Sequence, residues 1–103
     1  MENNKILSTL GLCRKAGKTV TGVDNVCKRM REKQDVFLVV AADGLSENSI
    51  KKLSDKAAFY NVSVKFTDFD MLTLGAAVGN NSGSACVGIT DKGLADSIGK
   101  NLS

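Results

Sequence analysis

The sequence predicts an α/β chain folded as a three-layer α/β/α sandwich, and three observations carry that expectation. Apolar residues recur at offsets of three and four in several segments, short β-branched or alternating runs lie between them, and the strand-like runs are separated by helical stretches of ten or more residues. Such spacing implies crossover connections and a sheet covered by helices on both faces. With 103 residues and 43% hydrophobic content, the chain fits one domain over residues 1–103 with one core. There is no internal repeat, proline-rich linker or low-complexity segment beyond the short "NNSGS" stretch.

Each element has its own signal. Ile6, Leu7, Leu10 and Cys13 make an apolar stripe that predicts a first helix near 4–16, with Gly17 placed for a left-handed cap. "KTVT" reads as a short strand or link, after which Val23, Val26, Cys27 and Met30 predict a second helix from around Gly22–Asp24 to near Lys33. "DVFLVVAAD" has the pattern of a strand buried on both faces. Ser46 is placed to cap a third helix carrying Ile50, Leu53, Ala57 and Tyr60, and the alternating "VSVKF" follows as a strand. Asp68 or Asp70 opens a fourth helical segment through Leu74 and Val78, ended by Gly79. "NNSGS" reads as a polar, flexible loop before the strand "ACVGI", and Asp91 caps a last helix with Leu94 and Ile98 inward.

Composition excludes several chemistries. The absence of histidine removes the commonest general base and metal ligand, so neither a Cys-His dyad nor a Ser-His-Asp triad can be assembled within the chain. Cys13, Cys27 and Cys86 are odd in number and widely spaced, which fits reduced thiols better than a disulfide framework or a zinc site. No apolar run approaches a membrane span and the start "MENNKILSTLG" lacks a secretory leader, so a cytoplasmic protein without membrane contact is expected. Net charge is only +3, but it is unevenly placed: residues 1–33 carry +5 and the remainder −2. The first third is a candidate polyanion-facing region; the alternative is two amphipathic helices with ordinary charged outer faces.

Two enzymatic readings are weak. "GLCRKAGKT" imitates the phosphate loop G-x-x-x-x-G-K-S/T, yet it has five residues between its glycines and a helical pattern where that loop needs a preceding strand. Cys27 stands beside Lys28 and Arg29, whose charges would favour a thiolate, but it belongs to the apolar stripe with Val23 and Met30 and is expected in the core. The stretch "TGVDNVCKRM" supports a third reading. Free N–H groups at a helix start suit phosphate, while Asp24, Asn25 and Lys28 would project from its first turns, with Asp24 and Lys28 on one face. A carboxylate, an amide and a lysine can read base edges. The competing account is that Asp24 is an ordinary N-cap bonded to main chain.

Over nearly its whole length the chain resembles the kink-turn RNA-binding ribosomal proteins, the L-seven-Ae or L-thirty-e-like family, and within it the small bacterial branch. The resemblance rests on "LGLCRKAGK" followed by "TGVDNVCK", the "VFLVVAAD" strand, the "YNVSV" step and "LGAAVGNNSGSACVGIT". It implies a four-stranded mixed sheet and binding of a sharply bent RNA loop with tandem sheared G·A pairs. By motif, Thr21 and Gly22 lead the contacting helix, Asp24 and Asn25 stand for the family's Asn-Glu pair in exchanged order, and Lys28 is its lysine. The resemblance would make Ser82, Gly83, Ser84 and Ala85 the loop against the extruded nucleotide, polar here where relatives are aliphatic, and would put Asp43 beside the RNA. Lys18 and Arg29, with Arg14, would attract phosphate. The resemblance further implies no catalysis, cofactor or metal. Its expected partner is ribosomal or another kink-turn RNA, with ribosomal proteins alongside, and a monomer is expected in or near the ribosome. A protein-interaction module that kept the sandwich and lost RNA reading is the alternative.

Overall fold

The computed structural model describes residues 2–102. The elements run α1 (Glu2–Lys15), β1 (Thr19–Thr21), α2 (Val23–Glu32), β2 (Leu38–Ala41), α3 (Glu47–Phe59), β3 (Ser63–Phe66), α4 (Met71–Ala77), β4 (Cys86–Ile89) and α5 (Lys92–Leu102). The sheet order is β1-β4-β2-β3. β4 lies antiparallel between β1 and β2, and β3 pairs parallel with β2. The sheet is thus mixed, and α4, with seven residues, is shorter than the ten expected of each helix between strands. β4 runs against β2, so the β3–β4 connection need not carry the chain back to the same end, as a parallel crossover must.

Alternation along the central strands divides the core between two helical layers. Leu38 and Val40 of β2 join Val87 and Ile89 of β4 against Ile6, Leu10 and Cys13 of α1, Leu74 of α4 and Ile98 of α5. On the other face, Val39, Ala41 and Cys86 meet Val26, Cys27 and Met30 of α2 and Leu53 and Ala57 of α3. Each large aliphatic side chain removed from water in these clusters stabilises the fold by about 1.5–3 kcal/mol. "FLVVA" therefore reads correctly as a strand buried on both faces over Leu38–Ala41, although Phe37 before it stays 43% exposed. Phe66 at the end of β3 is 52% exposed, because β3 is an edge strand.

Helix ends follow the local sequence. Ser46 accepts from the Ser49 N–H, Asp70 from Thr73 and Asp91 from Leu94, so all three expected caps form, with Asp70 rather than Asp68 opening α4. α1, α3 and α4 close by one device. A left-handed residue, Gly17, Asn61 or Gly79, donates to the carbonyl three residues back, and the next residue donates five back.

Candidate functional site

β1 and β2 are parallel to each other through the antiparallel β4 between them, so α2 and α3 both leave from the same end of the sheet. That end is where most of the singled-out residues gather. The Gly22 N–H donates to the Cys86 carbonyl at 3.0 Å, and the Ala42 N–H donates to the Ala85 carbonyl at 2.8 Å. The start of α2, the end of β2 and the loop before β4 are thereby joined, which brings together Thr21, Gly22, Asp24, Asn25, Asp43 and the segment from Ser82 to Ala85.

α2 begins without a side-chain cap. Its N-cap is Gly22 at φ 90° and ψ 146°, and among the described residues no side chain caps its first turn. The reading of Asp24 as an N-cap is therefore corrected: Asp24 sits one residue into the helix, and its exposed carboxylate pairs with Lys52 of α3. That partner raises no barrier to solvent, since the Asp24 side chain is 86% exposed. Asn25 reaches back instead, its Nδ2 donating to the Thr21 carbonyl at 3.1 Å. Lys28 is exposed and has no ion-pair partner among the described residues.

The loop is more ordered than "NNSGS" suggests. The Asn80 Oδ1 accepts from Ser82 at 3.2 Å, its carbonyl accepts from Gly83 at 3.1 Å, and the Ser84 N–H donates to Met71 at 2.9 Å. Ser84 is buried and its hydroxyl donates to the Cys86 carbonyl at 2.8 Å, so this side chain anchors the loop while Ser82 remains exposed. Gly75 makes the fold-back possible: a Cβ there would collide with the Asn80 carbonyl oxygen and come within 2.6 Å of Gly83 Cα.

Three singled-out cations are not free at the sheet end. The Thr90 N–H donates to the Lys18 carbonyl, which puts Lys18 at the opposite end of β1 from Gly22. Arg29 is not a free phosphate ligand, because its Nε and Nη2 donate to the two oxygens of Asp35 at 2.8 and 2.7 Å. Those bonds hold the Asp35 carboxyl below its usual range and raise Arg29 further. Arg14 lies over Gly79, where an added Cβ would come within 2.8 Å of its Nη2.

Sequence reading missed two sets of neighbours. Met71 and Leu72 are exposed beside the loop, and Gly83 lies against them. Their helical pattern around Leu74 marked α4 but not which of its residues would face solvent. Lys52 and Lys56 of α3 join Lys28 and Arg31 of α2 along a common groove. The four-residue spacing of the two α3 lysines was the available signal, but nothing local linked them to α2. The thiols are unpaired, as expected of all three, and Cys13 and Cys27 are buried as their apolar stripes predict; Cys86 is buried too. Desolvation raises each, and Cys86 is pushed up to about 12. Among the described residues no helix is long and apolar enough to cross a membrane, and no group of three His, Cys, Asp or Glu residues could hold a metal ion.

Residues 4–98 match the family model described as "Ribosomal protein L7Ae/L30e/S12e/Gadd45 family". The chain is 34% identical over 89 residues to the RNA-binding protein YlxQ of Bacillus subtilis (strain 168), covering 86% of each. It is 36% identical over 58 residues to the RNA-binding protein YlxQ of Enterococcus faecium, covering 56% of this chain and 55% of that one. Among solved structures, a protein of unknown function from Bacillus halodurans superposes with a TM-score of 0.88 at 30% identity, over 95% of this chain and 96% of that one. The Giardia lamblia 15.5kD RNA binding protein shares the fold, with a TM-score of 0.78 at 13% identity over 98% of this chain and 84% of that one.

Proposed function

Because the chain belongs to the ribosomal protein L7Ae/L30e/S12e/Gadd45 family, we propose that it binds structured RNA, a kink-turn or a related bent loop, at the sheet end where α2 begins. The observation that carries this reading is convergence. Gly22, Asp24, Asn25, Asp43 and the anchored loop meet at one end of the sheet, around a helix start that no side chain caps. Uncapped N–H groups and the positive end of the helix suit a phosphate, and Gly22 presents no side chain to obstruct the approach.

In this reading Lys28 contacts phosphate or a guanine edge, and Asp24 accepts from guanine N1 or N2 once it leaves Lys52. Asn25 keeps its Oδ1 available while its Nδ2 holds Thr21. Met71 and Leu72 supply, beside the loop, the apolar surface that "NNSGS" lacks, and an unstacked base can lie against them. The protein acts by binding alone, without catalysis or cofactor. It works as a monomer in the cytoplasm, in or near the ribosome.

Mobility-shift titration tests this with a kink-turn, the same RNA with its G·A pairs disrupted, and a straight duplex. Wild type is expected to prefer the intact kink-turn. Lys28→Ala should weaken that complex by about 1–3 kcal/mol and narrow its preference over the disrupted RNA. Equal losses on both RNAs would reduce Lys28 to a generic charge, and binding to none of them would leave the sheet end to a protein partner.

A further inference from the structure

α2 and α3 run side by side from the same end of the sheet, and between them lies a groove of about 350 Å³. Lys28 and Arg31 line it from α2, Lys52 and Lys56 from α3, with Asp24 toward the sheet end and buried Cys27 beneath. Four cations thus share the groove with one carboxylate. The ion pairs leave most of that charge unneutralised. Lys52 holds Asp24, and Arg31 approaches Glu32 only at 3.6 Å on an exposed surface. Lys28 and Lys56 have no ion-pair partner among the described residues. Lys51, on the same helix as Lys52 and Lys56, is spent on Asp55 at 3.3 Å and does not line the groove. Gathering like charges costs folding stability, so the cluster is unfavourable until a polyanion lies on it.

We propose that this groove is a phosphate track, along which the RNA strand leaving the sheet end lays its backbone against Lys28, Arg31, Lys52 and Lys56. The inference rests on the RNA-binding reading above and extends it. Continuity supports it: Asp24 at the start of α2 and Lys28 one turn further along both line the groove. Lining chemistry selects the partner. A protein interface needs apolar or aromatic anchors in buried pockets, and Cys27 is the only apolar residue here. A phosphodiester backbone needs cations and room for water. The track also couples to base reading, because a phosphate that takes Lys52 frees the Asp24 carboxylate for a base edge.

The test compares wild type with an Arg31→Gln/Lys56→Gln variant, both substitutions lying away from the first turn of α2. Each is titrated at several salt concentrations against a kink-turn cut back to the bend and against versions with either helical arm extended. Wild type should bind one long-armed RNA more tightly than the short one. On that RNA the variant should lose about tenfold, with its log–log salt slope reduced by about two, while short-RNA affinity stays unchanged and thermal unfolding moves, if at all, to higher temperature because like charges have been removed. Equal affinity of wild type for long and short RNAs, or an unchanged slope in the variant, overturns the track and leaves the groove to an acidic protein. Failure of wild type to bind any of these RNAs overturns the RNA reading itself, a result distinct from failure of the track.

Discussion

At the scale of single residues, the shape of the candidate surface depends on atoms that are absent. Gly75 lets residues 80–83 fold back onto α4, and the atoms that a Cβ would strike are main chain, which cannot rotate aside. Gly75→Ala is therefore expected to destabilise the protein by about 1–3 kcal/mol, as overpacking does. It should also lower RNA affinity even where the fold persists, because the loop must move. Urea denaturation and a binding titration on the same sample check both parts. Arg29 and Asp35 offer a second residue-level expectation. Asp35 is held below its ordinary value of 3.8 by the Arg29 hydrogen bonds, so the folded state binds its proton later than the unfolded chain. Its stabilising contribution is full above that ordinary value and is lost as pH falls through the lowered one. The stability gap between wild type and Asp35→Asn should accordingly be constant from neutral pH to about 4 and shrink below it. A gap that stays constant to lower pH would refute the assignment.

Elements were legible where their signals are local. Ser46, Asp70 and Asp91 announce helix starts because a short polar side chain can satisfy an N–H only two or three residues away. The ends at Gly17 and Gly79 are legible for a similar reason, since the left-handed cap favours glycine at one position, whereas the same cap at Asn61 shows only in the structure. Gly17 permits a clean measurement, for among the described residues none beyond its chain neighbours comes within 4 Å of where its Cβ would be. Gly17→Ala should cost about 1–2 kcal/mol from backbone conformation alone, measured as a shift in the denaturation midpoint with unchanged m-value. Asp24 shows where local reading fails. An aspartate near a helix start suggests a cap, but its partner is Lys52, twenty-eight residues away, and no spacing rule connects the two.

For the whole molecule, two-faced burial could be read from "FLVVA", whereas strand order and direction could not. Alternation shows which face a side chain takes and is silent on which strand lies next to it. The same limit hid the α2–α3 groove: the lysines of α3 fall in the part of the chain with net negative charge, and only folding sets them beside α2. Burial of the three thiols is likewise a property of the assembled layers. Cys13 and Cys86 are fully enclosed and Cys27 is 7% exposed, so a thiol reagent near neutral pH should label none of them faster than the protein opens. Mass spectrometry against time, with urea-unfolded protein as reference, checks this. Rapid labelling of Cys27 alone would restore the thiol-enzyme alternative.

Residues 85 and 86 each accept a hydrogen bond from a different flank, Gly22 on one side and Ala42 on the other. Those two bonds tie the loop before β4 to both neighbouring strands, so that a shift of either flank would have to break one of them or carry the loop along. A bent polynucleotide arriving there would meet a shape already set, and the entropy lost in forming the complex would fall mainly on the nucleic acid.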